Sequence, residues 1–147
     1  MSSRRDAENS PETECYTDGA ARGNPGPSAF AFLVVKGETV LHEGSGYLGT
    51  GTNNVAEYEA IIHALEWLSV SGVPVVALYS DSQLVIYQLT GRYRVRKPHL
   101  VPLYDTVMNL VERFEDITFN VVRREHRYIQ QADALCNRVL DTINTTV

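Results

Sequence analysis

The hydrophobic pattern of the chain changes period at Asn53, and this change restricts the fold more than any other feature. Before it lie three apolar, partly β-branched stretches, residues 14–17 (running into Asp18-Gly19), 29–35 and 39–47. A turn dense in glycine and proline, Arg22-Gly23-Asn24-Pro25-Gly26-Pro27, joins the first two, and Lys36-Gly37-Glu38 joins the second and third. Links this short predict an antiparallel meander, because parallel neighbours need a crossover of a dozen or more residues. From Asn53 onward, Val55, Ala56, Tyr58, Ala60, Ile61, Ala64, Leu65 and Leu68 recur with helical spacing, until Ser71-Gly72-Val73-Pro74 ends the helix. Residues 75–79 are continuously apolar, as in a strand covered on both faces. A short helix over 82–89, a helix over 100–114, a strand over 117–122 and a last helix over 129–143 follow. In the last helix Ala132, Leu135, Cys136, Val139 and Leu140 should point inward. The expected fold class is α/β: a five-stranded mixed sheet, with strands one to three as the antiparallel meander and strands four and five parallel, flanked by helices.

At 147 residues the chain suits one domain. Residues 1–13 are polar, lack the apolar core of a secretion signal, and are expected to form a mobile tail before a domain spanning 14–145. No apolar run approaches the roughly 20 residues of a membrane span. Cys15 and Cys136 are far apart and in no CxxC arrangement, so two reduced thiols in a cytoplasmic protein are expected. The net charge of −5 argues against a nucleic-acid binder if taken alone. Its distribution is uneven, however. Basic residues gather at Arg92, Arg94, Arg96 and Lys97, and again at Arg123, Arg124 and Arg127. By itself either group reads as a solvated face.

Four acidic residues stand out by position. Asp18 follows an apolar strand, where an ionised group is costly unless paired or metal-bound. Glu57 falls on the first turns of the first long helix, Asp81 directly after the fourth strand, and Asp133 near the start of the last helix. Brought together they would form a nest of hard oxygen ligands suited to Mg²⁺. Each also has a plainer explanation. Asp81-Ser82 resembles a helix N-cap, and Glu57 a first-turn glutamate favoured by the helix dipole.

The sequence around these acids resembles the type 1 ribonuclease H family. The resemblance is carried by Tyr16-Thr17-Asp18-Gly19-Ala20, Gly23-Asn24-Pro25-Gly26-Pro27 and Thr52-Asn53-Asn54-Val55-Ala56-Glu57-Tyr58. It continues through Ser80-Asp81-Ser82-Gln83-Leu84-Val85, Arg123-Arg124-Glu125-His126 and Ala132-Asp133-Ala134-Leu135. These run in family order over nearly the whole chain. The resemblance implies a ribonuclease H-like fold and an endonuclease that hydrolyses the RNA strand of RNA–DNA hybrids, leaving 5′-phosphate and 3′-hydroxyl ends. It implies Asp18, Glu57, Asp81 and Asp133 as catalytic ligands of two Mg²⁺ ions in the presence of substrate, with Asp18 bridging them and Mn²⁺ as a substitute. Asn24, Asn54 and Gln83 would address the minor groove of the hybrid, where an amide can meet a 2′-hydroxyl or a base edge. For Asn24 the plainer reading is turn chemistry, and for Asn53 it is a helix cap. Thr52 would hold a phosphate of the DNA strand.

The segment after Gln83 lacks the extra helix and basic protrusion of some relatives, which places the resemblance with the compact subgroup. Arg94, Arg96 and Lys97 are expected to replace the protrusion in part by contacting phosphates. Two assignments near the last helix remain alternatives. Residues 126–132 are longer than in most compact relatives, so the fourth ligand is either Asp133 or, one turn on, Asn137; the preference of Mg²⁺ for carboxylate favours Asp133. His126 matches a family histidine that assists proton transfer or product release, and Arg124 competes for that role. Another nuclease of this fold and a non-catalytic hybrid-binding module are the competing functional readings. The expected partner is an RNA–DNA hybrid, with no membrane association and a monomeric state.

Overall fold

The structure, a computed structural model, describes residues 12–144. The expected tail therefore lies outside the described residues apart from Glu12 and Thr13, and Thr145 at the far end also lies outside them. In chain order the elements are β1 (Thr13–Ala21), β2 (Gly26–Lys36), β3 (Thr39–Gly51), α1 (Asn53–Val70), β4 (Val75–Ser80), α2 (Gln83–Leu89), α3 (Val101–Val111), β5 (Asp116–Val121) and α4 (Arg127–Asn144). The sheet order is β3-β2-β1-β4-β5, antiparallel from β3 to β1 and parallel from β1 to β5. This is the mixed sheet that the change of period predicts.

All three strands of the meander run further than their apolar stretches, β2 starting already at Gly26. β1 continues to Ala21 and β3 to Gly51, because the ladder with β2 holds their polar ends: Gly19 pairs with Phe30, Ala21 with Ser28 and Gly51 with Gly26. Backbone pairing, not side-chain burial, sets these ends. The last helix begins at Arg127 rather than 129, since the His126 ring nitrogen Nδ1 accepts the otherwise unpaired Tyr128 N–H at 3.2 Å.

One face of the sheet, with Cys15, Phe30, Phe32, Val34 and Leu78, packs on α1. Helix α1 is buried around much of its circumference because α3 covers its other side. The opposite face, with Tyr16, Leu33, Val35, Ala29 and Ala31, packs on α4 through Tyr128, Ile129, Ala132, Cys136 and Leu140. The expected inward residues of the last helix thus face the core, with Leu135 and Val139 half-buried at its margin. Among the described residues no helix is long and apolar enough to cross a membrane.

One consequence of this topology positions chemistry. β1 and β4 are parallel neighbours, with Tyr16 paired to Tyr79. Two residues further on come Asp18, still in β1 and on the face of Tyr16 by the period-2 rule, and Asp81, one residue past the end of β4. Both carboxylates therefore emerge at the carboxyl end of the sheet, where open α/β folds bind ligands.

Candidate active site

Asp18 is buried in the central strand, only 6% exposed. Glu57 reaches it from α1, and this approach depends on Gly19. A Cβ at Gly19 would lie inside the backbone of Ala56 and Glu57, so only glycine lets helix and strand come so close. The Gly19 N–H donates to Glu57 Oε1 at 2.7 Å and fixes the carboxylate. Asp81 follows β4. It does not cap α2: Ser82 does, with its hydroxyl accepting the Val85 N–H at 3.3 Å. Asp81 is thereby left to the site, and the N-cap explanation falls on its neighbour. One carboxylate oxygen each from Asp18, Glu57 and Asp81 lies within 4.8 Å of the others. Asp133, on the second turn of α4, lines the same cavity as Asp18, and its charge acts on that carboxylate. All four line one open cavity of about 600 Å³, together with Asn54, Arg124 and Asn137.

The electrostatics are those of a carboxylate cluster without enough positive charge. Burial, followed by the charges of Asp81 and Asp133, pushes Asp18 up to about 8, against a smaller opposing pull from Arg124. Burial, Asp18 and Asp81 hold Glu57 well above the usual glutamate range, while the Gly19 N–H opposes them. Asp81 is raised by burial, with Arg124 pulling the other way. A set of hard oxygen donors this close together, each resisting ionisation, suits divalent cations that prefer carboxylate and water.

This gives a signed pH dependence. The folded protein, free of metal, keeps a proton on Asp18 up to about pH 8, whereas the unfolded chain releases it near pH 4. Between these values the folded state binds more protons, so stability should rise as pH falls from about 8 toward about 5. Urea unfolding in chelator across that range checks this, and a flat or opposite slope would refute the cluster's buried character. Saturating Mg²⁺ should stabilise most at the alkaline end, where the charges it neutralises are present.

The other sequence-predicted residues occupy distinct places. Thr52 is the N-cap of α1, its hydroxyl accepting the Val55 N–H at 3.3 Å. Asn53, expected to be the cap, instead accepts the Ala21 N–H through Oδ1 at 2.9 Å, while its own N–H donates to Asn24 Oδ1 at 3.1 Å. The β1–β2 turn and the start of α1 are thus locked together, and the Asn24 amide nitrogen is turned away from that contact. Gln83 is the exposed first residue of α2. Arg94, Arg96 and Lys97 line a second groove of about 210 Å³ with Leu84, Gln88 and Leu100. Asn54 lines both cavities, so the basic segment adjoins the carboxylates. His126 stacks on Tyr16, with ring centroids 4.8 Å apart, beside Tyr128. Its Nδ1 is engaged at the start of α4, and the cavity wall carries Arg124.

Two residues at the site are not among the functional residues expected from the sequence. Arg22, in the turn after β1, lines the cavity and pairs with Asp141 at 2.6 Å. Cys136 lies behind Asp18, its thiol donating to the Asp18 carbonyl oxygen at 3.5 Å. The one hint available for Arg22 is its position in a Gly- and Pro-rich turn immediately after the strand that bears Asp18.

Comparison with known proteins agrees with this geometry. The Reverse transcriptase-like family matches residues 16–139. Ribonuclease HI of Halobacterium salinarum is 41% identical over 127 residues, covering 86% of this chain and 63% of that protein. The chain therefore spans somewhat less than two thirds of that relative's length. The crystal structure of RNase H1 from Halobacterium salinarum superposes with a TM-score of 0.85 at 39% identity, covering 89% of this chain and 98% of that one. LC11-RNase H1, solved in complex with an RNA/DNA hybrid, gives 0.84 at 36% identity, covering 90% and 99%. With its motifs in family order, its strand order and its clustered carboxylates, the chain belongs to the ribonuclease H family, in the compact type 1 form.

Proposed function

We propose that this protein is an endoribonuclease that hydrolyses the RNA strand of RNA–DNA hybrids and leaves 5′-phosphate and 3′-hydroxyl ends. The observation that carries the reading is the convergence of Asp18, Glu57 and Asp81, with oxygens within 4.8 Å of one another, at the carboxyl end of the sheet. The hybrid bound by the related LC11-RNase H1 supports the substrate. The donor set fits two Mg²⁺ ions, with Mn²⁺ as a substitute, held by Asp18, Glu57, Asp81 and Asp133. Bound there, divalent ions supply an activated water and neutralise charge on the scissile phosphate and the leaving oxygen.

The protein's own residues do the rest. The Gly19 N–H holds Glu57 in place. Arg124, on the cavity wall, offsets the charge of Asp18 and Asp81. This favours Arg124 over His126 as the basic group that acts in the site, since the His126 ring is engaged in its stack and at the helix start. Asn24, Asn54 and Gln83 present amides to the minor groove, and Thr52 faces a DNA-strand phosphate from the start of α1. Arg94, Arg96 and Lys97 meet backbone phosphates along the adjoining groove. All these groups come from one chain, in keeping with a monomer, and two free buried thiols, Cys15 and Cys136, fit the reducing cytoplasm.

The test is cleavage of one labelled strand in matched RNA–DNA, RNA–RNA and DNA–DNA duplexes, with Mg²⁺ and with chelator. Metal-dependent cutting confined to the RNA of the hybrid is expected. Hybrid binding without cutting under Mg²⁺ or Mn²⁺ would point instead to a non-catalytic binding module. In the same assay, alanine at Arg94, Arg96 and Lys97 together should raise KM with kcat nearly unchanged. It should also flatten the salt dependence of hybrid binding, lowering the log–log slope by about 0.9 for each phosphate no longer neutralised, or somewhat less on a hybrid. An unchanged KM and salt slope would remove these residues from the interface.

A further inference from the structure

We infer that Arg22 and Asn137 are positioning residues that hold Asp133 in place as the fourth metal ligand, through a hydrogen-bonded chain anchored on Asp141. The inference rests on reading the carboxylate cluster as a metal centre. Arg22 Nη2 donates to Asp141 Oδ1 at 2.6 Å and to Asn137 Oδ1 at 3.4 Å, and Asn137 Nδ2 donates to Asp133 Oδ2 at 3.3 Å. Arg22 Nη2 also reaches the Asn137 carbonyl oxygen at 3.4 Å. Asp133, Asn137 and Asp141 are spaced by four, so they stack along one side of α4. Arg22 comes from the turn that follows the strand bearing Asp18. The hydrogen-bonded chain therefore ties the element carrying one ligand to the element carrying another.

The orientation of the Asn137 amide follows from its neighbours. A guanidinium only donates and a carboxylate only accepts, so the amide oxygen must face Arg22 and the amide nitrogen must face Asp133. A flipped amide would set donor against donor and acceptor against acceptor. Its oxygen is thus engaged away from the cluster, and Asn137 supports a ligand without being one. This decides between the two registers that the sequence leaves open for the last helix. The Arg22–Asp141 pair is 35% and 69% exposed at its two side chains, where ion pairs add little stability. Its consequence is orientation: it directs Arg22 onto Asn137.

Groups that orient a metal ligand typically cost about 10–100-fold in metal affinity when removed. The test is calorimetric titration of Mn²⁺ into the metal-free full chain, with thermal melts alongside. Asn137→Ala and Arg22→Ala should each weaken Mn²⁺ binding by about tenfold, with melting temperatures close to the parent. The double variant should be about as weak as either single one, because both break the same hydrogen-bonded chain. Asp141→Asn should shift binding in the same direction by a smaller factor. Unchanged or tighter Mn²⁺ binding in Arg22→Ala would overturn the inference; tightening in particular would mean that the freed Asn137 oxygen is itself a ligand. A raised KM for hybrid in Arg22→Ala with Mn²⁺ binding intact would assign Arg22 to phosphate and also overturn it. The readout needs no cleavage. Parent protein that binds Mn²⁺ but leaves hybrids intact would fail the proposed function alone, whereas a parent that binds no Mn²⁺ would remove the metal centre and this inference with it.

Discussion

Asp18→Asn is expected to abolish hybrid cleavage and, in chelator, to raise the melting temperature. The two effects have one cause. Asp18 sits 6% exposed among Asp81, Asp133 and Glu57, and its ionised form is disfavoured first by burial and then by those charges. An amide keeps the shape, removes a charge that the metal-free fold tolerates poorly, and takes away the donor on which the cluster converges. Losing several kcal/mol of charge stabilisation at the reacting phosphate corresponds to about 10³-fold or more in kcat. Relief of part of the repulsion corresponds to a rise of a few degrees at pH 8, as expected for about 1–2 kcal/mol in a domain of this size. At pH 5 the rise should shrink, because Asp18 is then already protonated. Turnover kinetics and melts of the same preparation check both halves. Lost activity with a lowered melting temperature would mean simple misfolding, and would remove the argument that the site is held at a cost in stability.

Gly19→Ala is the second large effect, and it works through packing. The added methyl would overlap the backbone of Ala56 and Glu57, which has no rotamer through which to escape. Either α1 moves off β1 or the strand end deforms. Overpacking of this kind costs about 3 kcal/mol, or roughly 10 °C. Activity should fall further than stability predicts. Displacing α1 draws Glu57 away from the Gly19 N–H that holds it at 2.7 Å and out of reach of Asp18. Urea unfolding with parallel kinetics at a temperature where the variant is fully folded separates the two losses. A variant with parental stability and turnover would show that the close approach of helix and strand is not required.

Much of this architecture is legible in the residues because local period and turn chemistry report on local structure. The short links before Asn53 predict the meander, and the helical spacing after it predicts α1. The apolar run before Asp81 predicts a strand buried on both faces, and in β4 the successive residues Val76, Ala77 and Leu78 are all buried. Cap assignments shifted by one residue at both the Asp81–Ser82 and the Thr52–Asn53 boundaries, because aspartate, serine, threonine and asparagine can all cap a helix. Which one does so depends on where the chain enters it.

By itself the sequence determined the element types, the family to which its motifs belong and the acidic residues worth attention. Only the tertiary structure decided which atoms meet. Nothing in the spacing of residues 22, 133, 137 and 141 shows that Arg22 faces Asn137, since they lie on elements brought together by packing across the sheet. Nor does the sequence show that Arg124 lines the cavity while His126 stacks on Tyr16 and accepts the Tyr128 N–H at the start of α4. The physical reason is range. Propensity and periodicity act over a few residues, whereas a cluster of carboxylates is assembled by pairing and burial between segments up to about a hundred residues apart.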